Sequence, residues 1–84
     1  LDGQSLLFLA RFLESQSREI EAELILEQAI LLPDFSATAR VKLAELLVKN
    51  GDYEKAVEHL ITAPALAPRA SVATYLEAVR ELAK

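Results

Sequence analysis

Between Ala37 and Pro68 the chain carries two apolar stripes separated by a single turn. In the first stripe, Val41, Leu43, Ala44, Leu47 and Val48 recur at steps of three and four residues. That is the period of a helix with one covered face. In the second, Tyr53, Ala56, Val57, Leu60 and Ala63 repeat the pattern. Asn50-Gly51-Asp52 lies between them. Glycine suits the left-handed position that ends a helix. An aspartate just before a helix can accept the orphan N–H groups of its first turn. Gly51 is therefore expected to close the first helix and Asp52 to cap the second. Ala44, Ala56 and Ala63 fall on facing stripes, and their small size allows the two helices to approach closely.

The rest of the chain reads the same way. A lead-in, Leu1-Asp2-Gly3-Gln4, is expected to fray, with Asp2 or Ser5 capping a helix from Ser5 to about Glu14. Leu6, Leu9, Ala10 and Leu13 form its stripe, while Leu7, Phe8, Arg11 and Phe12 lie on other faces. So much apolar surface implies cover on more than one side, from a neighbouring repeat or a ligand. Ser17 is expected to cap a second helix of about residues 18–31. Its core would be Ile20, Ala22, Leu24, Ile25, Leu26, Ala29 and Ile30. Glu19, Glu21, Glu23 and Glu27 make that helix acidic, a favourable bias near an N-terminus and otherwise a solvated face. Phe35 is expected to tuck against helix ends, with Ser36 capping a third helix to Lys49. Glu45 and Lys49 are spaced as an i,i+4 ion pair. Pro64 removes a backbone donor, so the fourth helix should kink or stop near Ala63. Ser71 should cap a fifth helix reaching about Leu82, with Val72, Tyr75, Ala78, Val79 and Leu82 as its stripe.

A shift of 34 residues relates the two halves. It carries Ala44, Ala56 and Ala63 onto Ala10, Ala22 and Ala29. Leu43, Leu47, Leu60 and Leu66 land on Leu9, Leu13, Leu26 and Leu32. The order of small and large slots resembles the tetratricopeptide repeat. Leu43-Ala44 stands for the family's Leu-Gly pair, Leu47 for its Tyr, Ala56 and Leu60 for its Ala and Phe, and Pro68 for the closing Pro. Gly51-Asp52-Tyr53 matches the inter-helix turn. Arg40 occupies the Trp slot, a departure that suggests a more exposed edge. The first copy is looser: its turn is Ser17-Arg18-Glu19, and Pro33 closes it one residue early. The likeness covers about residues 3–68. Placing Tyr75 in the next Trp slot makes the last helix either a cap or the start of a third repeat.

The resemblance implies an all-α, right-handed α-solenoid of antiparallel helix-turn-helix repeats in one domain, 1–84. Repeat 1 spans about 3–36 and repeat 2 about 37–70, with a closing helix of about 71–84. It further implies a concave groove lined by the first helix of each repeat, where a peptide or partner helix binds. Carried over by position, the groove residues would be Leu7, Phe8, Arg11, Glu14, Thr38, Val41, Lys42, Glu45, Lys49, Leu76, Glu77 and Arg80. One branch of the family clamps the carboxylate tail of heat-shock chaperones with Lys, Asn and Arg. Here Leu7, Arg11, Lys42 and Glu77 occupy comparable slots, without the Asn and with an acid facing inward. Chaperone-tail binding is not expected.

Composition narrows the chemistry. A chain of 84 residues makes one small domain, which on folding buries about 60–65% of the surface its unfolded chain exposes. Hydrophobic content of 52% argues against disorder. A net charge of −4 argues against nucleic acid as a partner, since binding it needs a basic stripe. There is no cysteine, so neither disulfides nor thiolate chemistry is available. His59 is the only histidine, too few for a zinc set and with Ala56 where a Glu-x-x-His motif needs its carboxylate. Gly3 and Gly51 are the only glycines, so there is no phosphate-binding loop. No cofactor, metal or catalytic set is expected. No apolar run approaches the ~20 residues of a membrane span, and no signal peptide is visible. A soluble, cytoplasmic protein is the expectation. The absence of methionine points to a piece or processed product of a longer chain.

The leading functional expectation is a protein-interaction scaffold for a protein or peptide, including one with acidic residues. The alternatives are a non-catalytic appendage of a larger enzyme, such as a transferase or a thioredoxin-like protein, and a self-assembly module.

Overall fold

A computed structural model describes the backbone of residues 2–66 and 70–84 and the side chains of 2–62 and 73–84. Five helices follow one another: α1 Gly3–Ser15, α2 Glu19–Ile30, α3 Ser36–Lys49, α4 Tyr53–Leu66 and α5 Ala70–Ala83. No strand occurs among the described residues. Each helix packs mainly on its neighbours in sequence, the arrangement that short turns between helices impose.

The buried residues repeat at the 34-residue step. Ala10 and Ala44 are buried, as are Ala22 and Ala56, Leu13 and Leu47, and Leu26 and Leu60. They belong to one continuous core that Leu43, Leu46 and Val79 complete. Alanines at the seams bring helix backbones together, and the leucines beside them fill the space between. Ala29 and Ala39 join Leu6 in a second cluster, where α1, α2 and α3 meet.

The α1–α2 and α3–α4 turns share one geometry. At the end of α3, Gly51 has φ +81°, its N–H bonds the Val48 carbonyl at 3.0 Å, and the Asp52 N–H bonds the Leu47 carbonyl at 2.8 Å. At the end of α1, Ser17 has φ +60°, its N–H bonds the Glu14 carbonyl at 3.0 Å, and the Arg18 N–H bonds the Leu13 carbonyl at 2.9 Å. Both are Schellman closures, which satisfy the last carbonyls of a helix through a left-handed residue. Ser17 therefore terminates α1 and does not cap α2. The N-cap of α2 is Arg18, with no side-chain cap bond. Instead Arg18 Nε donates to Glu21 at 2.9 Å.

Other ends differ from expectation as well. Asp2 caps α1 by accepting from the Ser5 N–H at 2.7 Å, so Gly3 and Gln4 are helical, not frayed. Gly3 is buried where a side chain would collide with the Phe35 ring, which packs against this helix end as expected. Ser36 is a buried first residue of α3, and Phe35 holds the cap position without a side-chain bond. The Asp52 carboxylate lies 3.7 Å from the Lys55 ammonium, and no capping bond from it appears among the described residues. α4 runs through Pro64 to Leu66 and does not stop near Ala63. In the last turn a missing donor removes only one bond from a helix already about to end. α5 begins at Ala70, so Ser71 is its second residue and not its N-cap. The side chains of Ala63 and Val72 and all of Pro68 lie outside the described residues.

Three packing expectations are corrected. Ile20 and Leu24 are not core but exposed, because the covered arc of α2 is centred on Ala22, Leu26 and Ala29. In α5, Val79 is buried but Ala78 and Leu82 are exposed. That helix packs on α4 and buries a single narrow stripe. Lys49 does not turn to Glu45 but reaches Glu19 at 3.3 Å and Glu14 at 4.0 Å, tying the end of α3 to both sides of the first turn.

Two expected outcomes follow from these contacts. Nothing lies within 4 Å of a Cβ built on Gly51, so Gly51→Ala should cost about 1 kcal/mol from backbone strain alone, and Ser17→Gly should gain a similar amount. Paired denaturant titrations read both signs. Ala44→Leu or Ala56→Leu should destabilise by ~1–3 kcal/mol, since both alanines are fully buried, and a melt identical to wild type would contradict the close contact.

Candidate peptide-binding cleft

Leu7, Arg11 and Glu14 stand at i, i+4 and i+7 on α1, and Lys42 and Glu45 at i and i+3 on α3. Such spacings place side chains on one helix face. The structure brings these two faces together around a cleft of about 200 Å³. Ala10 and Leu26 complete its lining. Ala10 marks where α1 approaches α2 closely, and Leu26 of α2 shows between the two groove helices. Five of the twelve sequence-predicted residues thus share one site.

The others are distributed around it. Val41 is half-buried against the core, and Thr38 is exposed nearer the start of α3. Lys49 sits at one end, engaged by Glu14 and Glu19. Phe8 is 74% exposed and does not line the cleft. On α5, Leu76 is half-buried against the core, and Glu77 and Arg80 pair with each other at 3.4 Å. Arg80 also borders a separate hollow of about 340 Å³ with Glu54, Val57, Ala83 and Lys84, which opens between α4 and α5.

The cleft rim alternates in sign: the cations Arg11 and Lys42 face the carboxylates Glu14 and Glu45. Tyr75, expected in the packing stripe of α5, is half-buried against the core. Burial raises the pKa of its hydroxyl, and the Glu45 carboxylate adds to the shift. Ala10 and Leu26 were missed as lining residues because periodicity assigned them to the core. The signal that could have found Ala10 and Leu26 is their place beside Leu7 and Arg11 at the seam between helices.

Away from the cleft, Arg40 and His59 form a pair. Arg40 Nη1 lies 3.1 Å from His59 Nδ1. A guanidinium only donates, so Nδ1 accepts and the neutral ring carries its proton on Nε2. Arg40 is half-buried, not the exposed edge expected, and its Nε meets no acceptor among the described residues. Burial and, secondarily, the Arg40 charge lower the His59 pKa from its ordinary 6.5, against the opposing pull of Glu58 and Glu27. Among the described residues no group of three or more His, Asp and Glu side chains is placed to hold a metal. None of the described helices is long and apolar enough to cross a membrane.

The helix pairing, the recurring alanine seams and the matched turns point to one family, and comparison with family patterns decides it: the tetratricopeptide repeat matches residues 13–80. The chain belongs to the tetratricopeptide repeat family. No curated protein and no solved structure matches it. Tetratricopeptide repeats are, in general, protein–protein interaction modules and typically not catalysts.

The Arg40–His59 pair gives this repeat a pH dependence. A histidine whose folded pKa is depressed binds fewer protons folded than unfolded. Its contribution is intact above pH 6.5 and is lost as pH falls through 6.5 toward the folded value. Wild type should therefore lose more stability between about pH 7.5 and 5 than His59→Gln, whose amide oxygen can still accept from Arg40. Urea midpoints of the two proteins across that range test this. Parallel lines would contradict it.

Proposed function

We propose that this tetratricopeptide repeat chain is a non-catalytic scaffold that takes a peptide or partner helix in the cleft between α1 and α3. The supporting observation is the cleft itself: Leu7, Ala10 and Leu26 make an apolar floor, and Arg11, Lys42, Glu14 and Glu45 make a rim of both signs. Apolar contacts supply affinity, while the rim charges set orientation and register. The two cations suit acidic residues of the ligand, and the carboxylates penalise a peptide placed in the wrong register. The reading takes residues of about 3–36 and 37–70 as two repeats and 71–84 as the closing helix. Matching turns at Ser17 and Gly51 support that division.

The experiment is selection of peptides on the whole chain from a displayed library, followed by titration of the winners against variants. Arg11→Glu with Lys42→Glu reverses the cations of the rim. Both side chains are exposed, so the melt should stay within about 0.5 kcal/mol of wild type. Affinity for the selected acidic peptides should fall by about tenfold or more. Glu58→Lys, on the exposed face of α4, should leave it unchanged. If Glu58→Lys removes binding and the Arg11/Lys42 pair does not, the cleft is not the site.

A further inference from the structure

The outer face of α2 is apolar where the fold does not require it. Ile20, Leu24 and Leu31 are 77%, 55% and 80% exposed. Ile20 and Leu24 fall at i and i+4 on one helix face, exposed Glu27 fills the i+7 position, and Leu31 follows at i+11 as the C-cap of α2. The second repeat provides an internal control. Ile20 and Leu24 map, 34 residues on, to Glu54 and Glu58, both exposed on α4. Carboxylates are thus tolerated at these positions of the fold, and the isoleucine and leucine of the first repeat need another reason. The apolar pattern alone assigns Ile20 and Leu24 to the core of α2. This stripe corrects that expectation: it faces away from α1 and α3 because the small residues Ala22 and Ala29 turn the opposite face inward.

Charge identifies the occupant. Between Glu19 and Ile30, α2 carries four glutamates and no cation. Glu19 and Glu21 are engaged by Lys49 and Arg18. Among the described residues Glu27 sits inside the stripe without such an ion pair. An apolar ridge edged by carboxylates complements a helix with an apolar face flanked by lysine or arginine. We propose that this outer face of α2 docks a basic amphipathic helix of a partner protein, its apolar side along Ile20, Leu24 and Leu31 and a cation over Glu27. The site is separate from the α1–α3 cleft and takes a ligand of the opposite charge.

The probe is a labelled synthetic helix with leucines along one face and lysines elsewhere, titrated against the whole chain by fluorescence anisotropy at near-physiological salt. A scrambled peptide of the same composition, with no apolar face, is the charge control. The amphipathic helix should bind about tenfold or more tightly than the scrambled one, and Ile20→Glu with Leu24→Glu should weaken it by about tenfold or more. Those substitutions install what the second repeat already carries, so the fold should persist. They also add negative charge, so attraction by charge alone would strengthen binding. Equal binding of the two peptides, or undiminished binding by the double variant, overturns the proposal. Wild type that dimerises with concentration, while the variant stays monomeric, overturns it in favour of a second copy of this chain.

Discussion

Close helix approach at alanine is the constraint on which this structure depends. Ala10, Ala22, Ala29, Ala39, Ala44 and Ala56 are all buried, and they lie where neighbouring helices face one another. A larger side chain at any of these points would push two backbones apart along their whole length, because a helix is too stiff to yield locally. The leucines of the core are sized for the spacing that the alanines set. Leu26 and Leu60 occupy equivalent places in the two repeats and are both buried. The seam therefore fixes helix separation, and separation fixes which side chains are covered. The cleft is a consequence: α1 and α3 both pack on α2, and the space left between them is floored by Ala10 and Leu26.

The turns add direction to this spacing. A chain leaving one helix must reverse within a few residues to lay the next one alongside. Both repeats solve this with a left-handed residue and the same pair of carbonyl bonds. At Gly51 the conformation is intrinsic to the residue. At Ser17 a side chain tolerates it, which shows that packing on both sides of the turn is strong enough to impose the geometry. Lys49 then reaches from the end of α3 to Glu19 and Glu14, one exposed cation reinforcing the junction of three helices. Pairs this exposed are worth little individually. Their value lies in register, not in stability.

Much of the architecture was legible in the sequence, and for a physical reason. Five helices, their order and the buried alanines all follow from a three-to-four spacing and a 34-residue repeat, and burial enforces both. Helix ends were less legible. Ser17 and Ser36 have the right chemistry for N-caps, yet the backbone needed one as a left-handed terminator and the other as a buried first residue. Propensity ranks what a residue does well, not which of several tasks its position demands. In the candidate site, the charged positions Arg11, Glu14, Lys42 and Glu45 could be placed by carrying the family's groove positions onto the chain. Phe8 and Arg80 could not be. Whether a side chain faces a shared cleft or lies just beyond it depends on helix rotation by a fraction of a turn, and stripe patterns with several apolar faces leave that rotation undetermined.

The exposed apolar residues of α2 mark the sharper limit, and the repeat itself supplies the means to read it. From the sequence alone, Ile20 and Leu24 belong naturally to the core of an apolar helix. The structure removes them from it, and the second repeat shows Glu54 and Glu58 in their places. Two copies of one fold act as a paired experiment. Positions where both copies agree, such as Ala22 and Ala56 or Leu13 and Leu47, report what folding demands. Positions where they diverge on the surface report demands that folding does not make. In a lone helix an exposed isoleucine needs no explanation, since much of any protein surface is apolar. Here two large apolar residues, Ile20 and Leu24, share one face where the second repeat has two carboxylates, while Glu27 stands where it has the exposed Ile61. The physical content of a repeat thus lies as much in its departures as in its period: the period identifies the fold, and the departures indicate where the molecule is made to meet something else.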